Sequence, residues 1–134
     1  MNSVVHFEMP YEDRDRAAEF YSKAFGWQNQ KYGQEMGNYM VMVTTEMDEA
    51  TKQPKKPGAI NGGMYQKPKD GPSAPSFVIA VDDIHAAIQK VKDAGGTVLG
   101  AMTGDVDDIP GVGLYCSFRD TEGNRVSILQ PKSM

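Results

Sequence analysis

The residues best suited to chemistry stand near the start of the chain, where His6 and Glu8 lie two apart in residues 3–9, SVVHFEM. That stretch is rich in β-formers and runs into Pro10, so it reads as a strand. On a strand, residues two apart share a face, with backbones about 7 Å from each other. Held together in a partly dry cleft, a carboxylate of raised pKa can act as a general base near neutral pH. It would take a proton from beside a carbonyl without needing a metal. The plainer alternative makes Glu8 half of a structural ion pair with Arg14, Arg16 or Arg125, and that is the default. The remaining reactive types promise less. His85 falls between Ile84 and Ala86, off the apolar helix face, and should be exposed. Cys116 sits in an apolar strand with no histidine nearby in sequence and reads as a buried, inert thiol. Asp105, Asp107 and Asp108 lack the glycine and ligand spacing of a calcium loop, so a solvated loop is expected. No phosphate-cradling glycine loop and no nucleophile elbow is present.

The elements that must position these residues follow from periodicity. After the first strand, Ala17, Phe20, Tyr21 and Ala24 recur at helical spacing, and Gly26 supplies a stop. Strands are expected at about 27–32, 38–45 and 59–66, with a polar, proline-bearing loop over 46–58. Residues 67–75 carry Pro68, Pro72 and Pro75 and read as a linker. The pattern then restarts. Residues 76–81 (SFVIAV) form a strand, and Asp82 offers a helix N-cap. Ile84, Ala87, Ile88, Val91 and Ala94 make a helix face that ends at Gly95-Gly96, and strands follow near 97–103, 112–119 and 124–130. Residues 120–124 (DTEGN) suit the hairpin turn between the last two.

Sliding the chain by 70 residues carries Phe7 onto Phe77, Met9 onto Ile79, Asp13 onto Asp83, Ala17 onto Ala87 and Gly26 onto Gly96. Strand, helix start, apolar face and helix stop superpose in order, which marks an internal repeat. The chain therefore reads as a single domain over 1–134, with module one at about 1–66, the linker at 67–75 and module two at about 76–134. Residues 5, 7 and 9, or 77, 79 and 81, should face each helix. His6 and Glu8, or Ser76, Val78 and Ala80, should then face the other way, onto a concave surface. Met40, Met42 and Met64 are candidates for the same lining, since thioethers suit an adaptable apolar site, with core filling the plainer alternative for each.

Composition excludes several partners. Fourteen basic against eighteen acidic residues give a net charge of −4, and Lys52, Lys55 and Lys56 form a broken cluster, which argues against nucleic acid. No apolar run approaches the roughly 18 residues of a spanning helix, so no membrane partner is expected. With one cysteine and no targeting pattern, cytoplasm is the default location.

The segments VVHFEMPYEDRDRAAEFYSKAFGW, VDDIHAAIQKVKDAGGTV and DIPGVGLYCSFRDTEGNRVSILQP resemble the vicinal-oxygen-chelate superfamily, which includes glyoxalase I, bleomycin-resistance proteins and extradiol dioxygenases. The resemblance implies an α+β fold of two tandem βαβββ modules, forming a curled mixed sheet around a cleft and commonly paired as a homodimer. In metal-using members, it implies ligands in the first and last strands of each module. Carried over through the repeat, those positions are His6 and Ser76 in the first strands, with Ser127 and either Gly63 or Met64 in the last. Only His6 is a good metal ligand, because hydroxyls and a thioether suit such ions poorly.

The expectation is thus a small-molecule-binding protein of the bleomycin-resistance type with a degenerate metal site and no cofactor. His6, Met40, Met42, Met64, Ser76 and Ser127 would contact the ligand. The alternative is a glyoxalase-like lyase or isomerase, or a related dioxygenase. It would act on a small carbonyl or oxygenated substrate, with a divalent metal at His6 or with Glu8 as catalytic base.

Overall fold

A computed structural model of the chain describes residues 1–71, 74–101 and 104–132. Among the described residues, the first module contains β1 (Val4–Tyr11), α1 (Arg14–Phe25), β2 (Gln28–Lys31), β3 (Met40–Val43) and β4 (Asn61–Gln66). The second contains β5 (Ser76–Ala80), α2 (Ile84–Asp93), β6 (Thr97–Gly100), β7 (Asp107–Ile109), β8 (Gly113–Arg119) and β9 (Arg125–Pro131). The architecture is mixed α+β. The contacts divide the chain into two compact units, His6–Pro75 and Met1–Val5 with Ser76–Met134.

In module one the strand order is β2-β3-β4-β1, with β1 and β4 parallel and the other pairs antiparallel. Helix α1 starts because Asp13, in extended conformation, accepts from the Arg16 N–H, and it stops at Gly26 in the left-handed region. It buries Ala18, with Ala17 and Tyr21, against Phe7, Met9 and Tyr11 of β1 and Met40, Met42 and Met64 of β3 and β4. Burying each of the fully enclosed Met40 and Met42 contributes roughly 1.5–3 kcal/mol. Phe20, expected on this stripe, is 58% exposed, because the buried line runs through Ala17, Ala18 and Tyr21 and leaves it on the flank. Its ring packs edge-on against Tyr21.

Module two repeats the plan in the order β5-β9-β8-β6, with β7 paired to β8. Its helix cap is Asp83 rather than the expected Asp82. The Asp83 carboxylate reaches the N–H groups of His85 and Ala86, while Gln130 accepts from Ile84 N at 2.9 Å. The cap at Asp83 strengthens the repeat, since it is the counterpart of Asp13. Val81, Ile84, Ile88, Cys116 and Ile128 form the core beneath α2. The loop expected around Asp107 and Asp108 instead contributes β7, which lies antiparallel on residues 113–115 of β8. The end of the strand expected over 97–103 lies outside the described residues, as does part of the 67–75 linker.

Candidate functional site

Each module turns one sheet face to its helix, and its candidate functional residues occupy the opposite face. In module one, Phe7, Met9 and Tyr11 join the helix-side core, so His6, Glu8 and Pro10 alternate onto the other face. Parallel pairing sets His6 opposite Asn61 and Glu8 opposite Gly63. Glu8 is buried, at 8% exposure. His6 is partly buried, and that burial pulls its imidazole below its ordinary pKa by penalising the charged form.

Two details decide what this face can hold. Asn61 Oδ1 accepts from the N–H groups of Thr44 and Thr45 at 2.7 and 3.0 Å, so its carbonyl is committed to holding a turn. At Gly63, a Cβ would overlap the phenol oxygen and ring of Tyr39, so that aromatic side chain fills the space where another residue's stem would begin. Arg14, a possible partner for Glu8, instead donates through Nη1 to the carbonyls of Tyr32 and Asn38, at 2.6 and 3.1 Å. Arg16 is exposed and lines a shallow recess with Pro10, Ala17, Phe20 and Met64.

In module two, Ile79, Val81, Cys116 and Ile128 belong to the helix side. Alternation then assigns Ser76, Val78 and Ala80 of β5, Arg125, Ser127 and Leu129 of β9, and Tyr115 and Ser117 of β8 to the opposite face. Val78 pairs with Ser127, and Ser127 with Ser117. Ser127 is fully buried, with its Oγ 2.6 Å from Tyr115 Oη. Ser117 Oγ donates to the Gly100 carbonyl at 3.1 Å. Continuing the β5–β9 register by two residues sets Ser76 opposite Arg125. Ser76 Oγ and Arg125 Nη1 are both buried without a hydrogen-bond partner.

The registers also settle which last-strand residue of module one corresponds to Ser127. Glu8 and Val78 are counterparts in the repeat; Glu8 pairs with Gly63 and Val78 with Ser127, so the counterpart is Gly63, not Met64. Met64 pairs with Met9 and with Met40, on the helix side. Met40, Met42 and Met64 therefore pack in the core beneath α1 and not on the face of His6 and Glu8. The expected lining fails for a simple reason: alternation along β3 and β4 is fixed by the burial demand of α1. Cys116 is fully buried beneath α2, and burial pushes its thiol pKa up. His85 is exposed.

At the positions where the resemblance implies metal ligands, module one offers His6 and Gly63, and module two offers Ser76 and Ser127. Neither pair can chelate a divalent ion, since glycine has no donor side chain and neutral hydroxyls bind weakly. Among the described residues, no group of three or more His, Cys, Asp or Glu side chains is arranged to hold a metal. The donor set does not fit a metal. Sequence reasoning did not single out the Tyr39 plug, and it weighed Arg125 only as a partner for Glu8, not for the unpartnered Nη1 found here. A strand glycine was the available signal for Tyr39, and period-two alternation from Ser127 was the signal for Arg125.

The repeated strand-helix-strands unit, with helix-side cores and polar opposite faces, defines a paired-module α+β protein. A profile of the Glyoxalase/Bleomycin resistance protein/Dioxygenase superfamily matches residues 3–128, and the chain belongs to that superfamily. It is 35% identical over 129 residues to a glyoxylase-like domain-containing protein of Didymella fabae, covering 93% of this chain and 91% of that one. In fold, it is similar to methylmalonyl-CoA epimerase from Mycobacterium tuberculosis, with TM-score 0.64, 14% identity, and coverage of 97% of this chain and 88% of that one. It is likewise similar to a Streptomyces coelicolor methylmalonyl-CoA epimerase variant in complex with 2-nitronate-propionyl-CoA, with TM-score 0.69, 14% identity, and coverage of 100% and 97%. Among the described residues, no helix is long and apolar enough to cross a membrane.

Proposed function

We propose that this chain is a small-molecule-binding protein of the bleomycin-resistance type, working without the metal that enzymes of its superfamily use. One observation carries the reading. The superfamily's ligand positions hold His6 with Gly63 in one module and Ser76 with Ser127 in the other, with Tyr39 filling the space at Gly63. A face that has given up its ligands but keeps buried polar groups is suited to hold a molecule by hydrogen bonds and apolar contact.

A second reading is favoured by the burial of Glu8 beside His6 on one strand face. A buried carboxylate can move a proton at carbon without a metal, and epimerases stand among the proteins of similar fold. That makes proton exchange next to a carbonyl the first reaction to look for in any compound that binds. The test of the main reading is a thermal-shift screen of small polar and aromatic compounds in excess chelator. The expected result is at least one compound that raises Tm equally with and without chelator. A ligand response that chelator abolishes would overturn it.

A further inference from the structure

Module two contains an electrostatic irregularity. The guanidinium of Arg125 is permanently charged, yet its Nη1 is buried with no hydrogen-bond acceptor, and no ion pair found among the described residues includes it. Across the strand pair, the Ser76 hydroxyl is buried and also lacks a partner. Arg125 as a whole is partly buried, but leaving a buried guanidinium nitrogen without an acceptor is costly, and a lone buried hydroxyl adds to the cost. Both groups alternate onto the face opposite α2, and continuing the β5–β9 register two residues beyond the Val78–Ser127 pair sets them opposite each other. On that face, Val78 and Leu129 are buried apolar neighbours, at 4% and 8% exposure.

We propose that Arg125 and Ser76 form the anion subsite of module two, binding the carboxylate of a small organic acid whose apolar body rests against Val78 and Leu129. A planar guanidinium and a hydroxyl offer donors to two oxygens at once, a geometry that suits a carboxylate. Ser76 stands where the superfamily resemblance implies a metal ligand. A fixed side-chain cation beside that position supplies the positive charge that a metal would otherwise bring. The inference rests on the metal-free reading above and adds to it the class of ligand.

The full-length protein is titrated in chelator with acetate, butyrate and benzoate, and in parallel with acetamide, butyramide and benzamide. The Arg125 side-chain Nε–H signal is followed by NMR throughout. At least one acid should bind about tenfold or more tighter than its amide, the worth of a charge-assisted hydrogen bond. It should also shift the Arg125 signal, and Arg125→Gln should erase the preference for the acid while Ser76→Ala weakens it. Equal binding of every acid and its amide, or binding that leaves the Arg125 signal unmoved, overturns the inference. Should Arg125→Gln fail to fold, the signal in the unaltered protein decides. The titration is repeated with zinc. An acid preference seen only with zinc would overturn both this inference and the metal-free reading. No preference under either condition, with no zinc uptake, would overturn the inference alone.

Discussion

Opposite its helix, module one presents His6, Glu8 and a glycine roofed by Tyr39, whereas module two presents Ser76, Val78, Ser127 and Arg125. Beneath the helices the two modules remain alike. Asp13 and Asp83 cap the helices, and Ala18 and Ile88 are the buried helix residues at equivalent places. The contrast shows which constraint acts on which face. The helix side must exclude water and match the helix's apolar stripe, so residue type is held there by packing. The opposite face is free of that demand, and there the copies differ, one charged and titratable, the other hydroxylic and guanidinium-bearing.

The comparison can be broken most sharply at Gly63. Gly63→Glu puts an acid at the last-strand position of module one, but its Cβ would collide with Tyr39. We expect a loss of about 1–3 kcal/mol in urea unfolding, partly recovered by Tyr39→Ala in the double variant. If Gly63→Glu is as stable as the parent, Tyr39 does not occupy that space. The matching change in module two is milder. Ser127→Ala removes only the hydroxyl that meets Tyr115 Oη, and should cost about 1 kcal/mol in the same assay. A larger loss at Ser127 than at Gly63 would reverse the contrast drawn between the two faces.

The smallest effect concerns pH. Burial lowers the folded-state pKa of His6, so between the folded and unfolded values the unfolded chain binds more protons. His6 therefore contributes no penalty above its ordinary value near 6.5, and stability falls as pH drops from there toward the folded value. His6→Gln should flatten that part of the stability profile between neutral and mildly acidic pH. An unchanged slope would mean that His6 is as solvated in the folded protein as in the unfolded chain.

Much of the architecture was legible because the repeat constrains it twice. The order of Phe7, Asp13, Ala17 and Gly26 against Phe77, Asp83, Ala87 and Gly96 marked strand, helix and stop in each copy, though the second cap was read one residue early, at Asp82. His6, Glu8 and Ser76 were placed on the faces opposite the helices by period-two alternation, which is local, whereas Ser127 came from the family resemblance. The methionines stayed open between lining and core because their face depends on register with β1, which pairs Met9 with Met64 and lies beyond any window of local pattern. Strand β7 was missed because Asp107 and Asp108 read as loop formers, and only pairing with β8 makes them a strand. Tyr39 and Arg125 gain their meaning from three-dimensional neighbours: a phenol over Gly63, and a buried guanidinium nitrogen that finds no acceptor.

The most direct test of the account is metal analysis of protein purified without chelators, followed by calorimetric titration with zinc, nickel, manganese and iron(II). The account predicts substoichiometric metal and no binding heat, because His6 with Gly63 and Ser76 with Ser127 provide no chelating pair. Near-stoichiometric metal, or a saturable heat of binding that is lost in His6→Gln, would contradict it.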